Sequence, residues 1–473
     1  MTSQILDMSS LKLGRSFSQL PGDIMLEILG NVDLEDVLSF LATCRNFYSV
    51  RETRSLWLRL LKRMDRRHPL PCSFDEDLTK MDLHRLIATA MRARRLQNNL
   101  ARDEPQPIGL IRSHRFNQDM DVLGIIPGAD LILLHIRGRG IACLWDISAM
   151  KSLASVYIGR TILLYSDAHF ERGKFLIGFE ISDEPDFDPD ENGPSVIRVL
   201  EVKHGSAQQP SLREVFHVPV TTPFPECLFL DSRYIGVLGD RTEEAYRVCI
   251  YDLNSDSKVS SQLQHVLPSD AESGLQASII GDYLYLMVEE EEQLSICHYA
   301  IRDLLSSGVN PPHTVMDGNF TKTSSIGCFH NSGLHLRGVI AVSLSFGNPG
   351  MIVRFWPTSS TDNPNPELTF TNAVEKTLRH SVISNPYDAE LIGMGNCAND
   401  ILIATKDHRP RSRSPPTLHL VRFDPDTHTT RTVPLALPSN IILQEIVSVH
   451  LEECKGRLIL LDESWTLWVV SYS

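Results

Sequence analysis

Residues 20–64 read LPGDIMLEILGNVDLEDVLSFLATCRNFYSVRETRSLWLRLLKRM. Leu20-Pro21 opens the stretch, and proline in the first turn of a helix costs little because its missing N–H has no partner there. Ile24, Met25, Ile28 and Leu29 follow in i, i+4 pairs, which predicts a short helix with one apolar face. Gly30-Asn31 stops it. Asp33 is placed to cap a second helix, with Asp36 also near the positive end of its dipole. In that helix Leu34, Val37, Leu38 and Leu41 recur at i, i+3, i+4 and i+7. Arg45-Asn46 breaks the run, and Trp57, Leu60, Leu61 and Met64 mark a third helix. Three short amphipathic helices of this total length lie near the lower size limit for independent folding. Apolar surface left uncovered on them implies a partner. Periodicity alone also fits a small helical cap on whatever follows.

The order and spacing of Leu20-Pro21, Gly22-Asp23, Ile24…Ile28-Leu29, Asp33-Leu34, Cys44-Arg45…Phe47-Tyr48 and Leu56-Trp57…Leu60 resemble an F-box, of the kind found in fungal-type F-box proteins. Gly22 and Met25 depart from the commonest choices without removing an apolar contact. The resemblance implies docking on the adaptor Skp1 and, through it, on a cullin-RING ubiquitin ligase. By position it assigns Leu20, Pro21, Ile24, Ile28, Leu29, Leu34, Val37 and Leu38 to the Skp1 contact. Trp57 is expected to brace the helices against one another.

Around this stretch the chain of 473 residues has room for two or three domains. Residues 1–19 read as a flexible lead without the apolar core of a signal peptide. Residues 65–107 read as a linker carrying one helix over 78–101. Leu83, Ile87, Ala90 and Met91 lie on one side of that helix, and Arg85, Arg92, Arg94 and Arg95 on a solvated other side, with Arg102 just beyond. A net charge of −14 argues against a general nucleic-acid binder, and no apolar run is long enough to span a membrane. Nine cysteines, spread singly without a C-x-x-C pair, read as buried thiols in the cytoplasm or nucleus.

From 108 to 473 the hydrophobic period changes to two. Short apolar runs group into seven hairpins: 130–136 with 141–146, 174–180 with 196–202, 234–238 with 246–253, 282–288 with 294–300, 338–346 with 351–356, 401–405 with 418–423, and 457–461 with 465–470. Antiparallel units recurring at this spacing predict an all-β domain, a divergent seven-bladed β-propeller, since one blade cannot cover both of its faces alone. Leu144-Trp145-Asp146-Ile147 and Cys249-Ile250-Tyr251-Asp252-Leu253 are similar to strand ends of WD-type blades, although the Gly-His signature is missing. An irregular pair of β-sandwiches is the competing architecture. The fold class is therefore multi-domain: a small all-α F-box of three helices, a linker helix, then the β region.

A search for chemistry yields no catalytic residues, no metal site and no cofactor. Asp186, Asp188 and Asp190 alternate like calcium ligands, but Glu191 stands where the loop needs glycine and Ile197 where it needs a bidentate glutamate, so residues 183–193 read as a solvated acidic tip. Glu289 to Glu292 read the same way. His330 and His335 lack a third ligand. Gly393-Met394-Gly395 reads as a turn. His135, inside an apolar strand, reads as a hydrogen-bonded core imidazole. Residues 409–416, RPRSRSPP, read as a disordered loop, with nuclear import or phosphorylation as the alternative. Arg354 and Trp356 are candidate binding residues. The expected function is that of an adaptor: the F-box holds Skp1 and the ligase, and the β domain holds an unknown protein substrate, with no nucleic-acid or membrane partner. The alternative is a non-ligase F-box scaffold. A propeller hydrolase or lyase is a third class, which an axial pocket lined by carboxylates or histidines would favour.

Overall fold

The structure is a computed structural model. It describes residues 20–73, 76–166, 168–171, 173–184, 195–205, 209–220, 225–239, 245–255, 258–264, 275–280, 282–290, 293–306, 313–319, 326–329, 339–347, 350–357, 374–379, 389–394, 400–405, 417–424 and 427–473. Two compact units share the chain: residues up to Leu70 with Asp77–Arg95, and Pro71–Glu76 with Leu96–Ser473.

The first unit is helical. Its helices are α1 (Gly22–Asn31), α2 (Leu34–Leu41), α3 (Arg45–Ser49), α4 (Arg54–Arg67) and most of α5 (Leu83–Leu100). Arg45-Asn46 does not simply break the chain. Extended Cys44 precedes the short α3, which continues into a 3-10 turn, Val50–Glu52. Asp33 occupies the N-cap position of α2 but makes no side-chain cap bond, and Arg63 donates to its carboxylate at 3.1 Å. A cap that sequence did not signal lies at α5, where Asp82 accepts the Arg85 N–H at 2.7 Å.

The core of this unit is organised by α4. Leu56, Trp57, Leu60 and Leu61 are buried, and the Trp57 indole N–H donates to the Arg51 carbonyl at 2.7 Å. Burying side chains of this size stabilises by about 1.5–3 kcal/mol each. Met25 and Leu29 of α1 face this core, whereas Ile24 and Ile28 face outward. The two i, i+4 pairs are thus two stripes, not the single face that spacing suggested. On α5 the buried side is Leu86, Ala90, Ala93 and Leu96, while Leu83, Ile87 and Met91 flank it half-buried.

The second unit is a ring of antiparallel sheets, and seven lie among the described residues. Sheet 1 takes Met120–Ile126, Leu131–Ile136, Ile141–Asp146 and Lys151–Tyr157 in order. Sheet 2 takes Thr161–Tyr165, Lys174–Ser182, Val196–Lys203 and Ser211–Pro219, with His169–Glu171 paired alongside. Sheet 3 takes Pro225–Leu230, Tyr234–Gly239, Ala245–Asp252 and Lys258–Gln264, and sheet 4 takes Leu275–Ile280, Tyr283–Glu290, Gln293–Ala300 and His313–Asn319. Sheet 5 takes Ile326–Phe329, Val339–Gly347, Gly350–Pro357 and Val374–Arg379, and sheet 6 takes Ala389–Met394, Asp400–Thr405, Thr417–Asp424 and Thr429–Leu435. Sheet 7 joins the two ends of the unit: Ile446–Glu452, Arg457–Asp462 and Thr466–Ser471 are completed by Arg112–Arg115.

Each sheet touches the next, and the first strand of sheet 7 touches the first strand of sheet 1, so the order closes on itself. This cyclic packing is propeller-like and excludes a pair of sandwiches. It also explains why the middle strands are apolar on both sides: every residue of Phe175–Ser182 is buried, because a sheet packs against each face. Each of the seven hairpins read from sequence is the middle strand pair of one sheet. Gly393 and Met394 end a strand of sheet 6 rather than forming a turn.

Segments outside the sheets are seated on the ring at two glycines. Gly128 has φ +66°, and a Cβ there would lie 2.0 Å from the Cys72 carbonyl oxygen. Gly456 has φ +58°, and a Cβ would meet Leu96 Cδ1 at 2.1 Å. Leu96 and Leu100 belong to the core between sheets 6 and 7, and buried Asn99 donates to the Tyr472 carbonyl at 2.8 Å.

Candidate functional site

The eight residues assigned to an adaptor contact separate by exposure. Pro21, Ile24 and Ile28 are exposed, the latter two at 47% and 39%, and Leu20 and Leu38 are half-buried. Leu29, Leu34 and Val37 are buried at 2%, 5% and 0%. These three are buried within the helical unit and offer no surface, because the helical period turns them inward. The exposed row begins at Pro21, where the extended backbone turns into α1. Glu27 stands beside it and pairs with Arg59 at 2.6 Å, fixing α1 to α4 at the surface. Tyr48 adds an exposed ring, held by the Arg51 guanidinium at 2.7 Å from its hydroxyl. Trp57 is buried within the helices, as its bracing role requires.

The F-box-like family model matches residues 17–63. This chain carries an F-box-like domain. It is followed by the propeller-like β region described above. The match begins three residues before Leu20 and ends at Arg63, so the F-box-like domain holds the whole exposed row and the Trp57 core. No curated protein matches the chain. Among solved structures, it is similar to the β-propeller domain of Cps50 (Swd1) from Myceliophteria thermophila, at 10% identity and a TM-score of 0.45, covering 76% of this chain and 99% of that one. It is also similar to Nup170 in the Chaetomium thermophilum Nup170 NTD–Nup53 complex, at 11% identity and a TM-score of 0.44, covering 77% of this chain and 61% of that one.

Outside the F-box-like domain, polar groups inside the ring stitch its closure. Asp130, in a turn of sheet 1, accepts Lys455 Nζ at 2.7 Å and also pairs with Arg457, both from sheet 7. Burial alone would raise its carboxyl, but these cations and Ser148 hold it well below the usual carboxylate range. Buried Glu452 accepts the Gly128 N–H at 2.9 Å and the Lys455 N–H at 3.0 Å. Burial pushes its pKa up against those bonds. Glu453 accepts the Asp400 N–H at 3.0 Å, so one turn of sheet 7 grips both sheet 1 and sheet 6. Sequence reading missed this cluster. Lys455 and Asp130 lie 325 residues apart, and no local pattern joins them.

His135 is the hydrogen-bonded core imidazole expected of it: its Nε2 lies 2.9 Å from the Gly159 carbonyl oxygen. Asp146, Asp252 and Asp424 each end the third strand of a sheet and accept a backbone N–H from the turn that follows, which is what the WD-like strand ends contribute here. Among the described residues no group of three or more His, Cys, Asp or Glu side chains is placed to hold a metal ion, and no helix is long and apolar enough to cross a membrane. His330, His335, residues 409–416 and most of the acidic segment 183–193 lie outside the described residues, as do residues 1–19 and the tip at 291–292. Arg354 and Trp356 fall in a strand of sheet 5, and their side chains also lie outside.

Proposed function

We propose that this protein is the substrate-recognition subunit of an SCF-type E3 ubiquitin ligase. In this reading α1 docks on a Skp1-like adaptor, a cullin-RING ligase follows through it, and the β region holds a client protein. The single observation that carries it is the exposed row Pro21, Ile24 and Ile28 on a helix inside an F-box-like match. A folded helix of this kind normally buries its aliphatic side chains, and three left out together mark a surface for another protein. The protein acts as an adaptor rather than an enzyme: holding a client lysine near a charged ubiquitin carrier raises its effective concentration, and no residue here makes or breaks a bond. A cytoplasmic or nuclear location agrees with the free thiols of Cys44, Cys72, Cys143, Cys227, Cys249 and Cys454.

Co-purification of the full chain with Skp1 and a cullin tests the proposal. Both are expected to elute with it, and Ile24→Ser with Ile28→Ser should release both. Skp1 without a cullin or a ubiquitylated client would instead favour the non-ligase scaffold. Elution with neither would overturn the adaptor reading.

A further inference from the structure

Sheet 7 ends in an outer strand, Arg112–Arg115, that pairs on one side with Thr466–Ser471 and on its other side with nothing among the described residues. Its free edge therefore presents backbone N–H and C=O groups outward. Just before it runs Ile108-Gly109-Leu110-Ile111. Ile108 and Ile111 are exposed, and Leu110 is 86% exposed, more than any other large apolar side chain among the described residues. The Ile108 N–H donates to the Ser471 carbonyl at 2.6 Å, so the segment enters along the sheet's own edge. Gly109 follows with φ +88° and open space where a Cβ would be.

Natural sheet edges are usually blunted. The outer strand of sheet 6 carries Pro434, and that of sheet 2 shifts register between Glu214 and Phe216 and ends at Pro219. The edge of sheet 7 has no proline and no bulge; it is short and cationic, and three exposed aliphatic residues border it. Charge decides what fits. Arg112 and Arg115 are exposed; among the described residues Arg112 donates to the Ile147 and Ser148 carbonyls, and neither arginine has an ion-pair partner. A second copy of this chain would bring two such cationic edges together, which is repulsive. An acidic strand would be attracted.

We propose that residues 108–115 are a docking strip for an extended protein segment of alternating aliphatic and acidic side chains, which adds to sheet 7 as a further strand. Main-chain pairing supplies the affinity, Leu110 the apolar contact, and Arg115 the preference for acid. The proposal does not depend on the F-box-like domain having an adaptor.

Fluorescence anisotropy of a labelled DVEIDVE peptide titrated with the full chain tests it. Saturable binding is expected, weakened by about tenfold or more by Leu110→Ser and by Arg115→Glu. Both positions are exposed, so unchanged thermal melts should accompany the loss. A peptide with proline at its centre should bind at least about tenfold more weakly, since it cannot donate to the edge. Absence of binding, equal binding by the basic peptide KVRIKVR, indifference to the central proline, or unchanged affinity in both variants would each overturn the proposal. So would a dimer of the chain that Leu110→Ser dissolves.

Discussion

In the F-box-like domain Ile24 and Ile28 remain 47% and 39% exposed, whereas in sheet 1 of the ring Ile132, Leu133 and Leu134 are all at 0%. Both segments are runs of aliphatic residues of similar composition. The difference is the number of neighbours the fold can supply. A helix presents one stripe to a core and turns the rest outward, so α1 covers Met25 and Leu29 and leaves its second stripe bare. A middle strand in a closed ring has a sheet on each face, so most of its residues find cover. The small unit therefore keeps apolar side chains at its surface, while the ring covers the middle strands of its own sheets.

The largest expected effect falls on the side of the comparison with the smaller core. Trp57→Ala should cost about 3–5 kcal/mol and melt the helical unit while the β signal in circular dichroism persists. A single cooperative loss of both signals would show that the two units do not unfold separately. Next, Leu29→Ala should cost about 2–4 kcal/mol of stability in a denaturant titration. Ile24→Ala and Ile28→Ala should each stay within about 0.5 kcal/mol and weaken Skp1 binding instead. Equal stability losses at all three positions would erase the distinction between the buried and exposed stripes. In the ring, Asp130→Ala leaves Lys455 and Arg457 without their shared carboxylate and should cost on the order of 1–3 kcal/mol in thermal unfolding of the β region. No change there would mean that apolar packing alone closes the ring.

A smaller effect is pH-dependent. Burial lowers the His450 pKa to about 4 from the ordinary 6.5, and its Nε2 lies 2.7 Å from Ser448 Oγ. Between these values the unfolded chain binds the proton and the folded chain does not. Stability is thus full above about pH 6.5 and falls as pH drops toward 4. His450→Gln should recover on the order of 1 kcal/mol at pH 4.5 relative to pH 7, measured by urea titration at both. Smallest of all, Met150 and His428 hold φ of 50° and 53° in the turns after Asp146 and Asp424. Replacing either by glycine should be neutral or stabilising by up to about 1 kcal/mol.

Much of the fold was legible because two kinds of pattern are local. The apolar repeat of Leu34, Val37 and Leu41 marks a helix, and the runs 130–136 and 141–146 mark a hairpin, whatever surrounds them. The outer strands were not legible. Lys151–Tyr157 and Arg112–Arg115 are largely polar and exposed, and a strand with one neighbour needs no apolar run. The candidate site was legible as a list but not as a surface: periodicity placed Ile24, Met25, Ile28 and Leu29 together, and the angle between their two stripes separated core from exposed surface.

The sequence by itself determined that a helical segment with an F-box pattern precedes a long series of β-hairpins, because hydrophobic period and turn residues act over a few positions. Only the tertiary structure decided that residues 112–115 close the ring, that Asp130 meets Lys455 and Arg457, and that Leu29 is buried while Ile28 is exposed. Those outcomes depend on which surfaces meet across hundreds of residues, and burial is a property of the pair that meets.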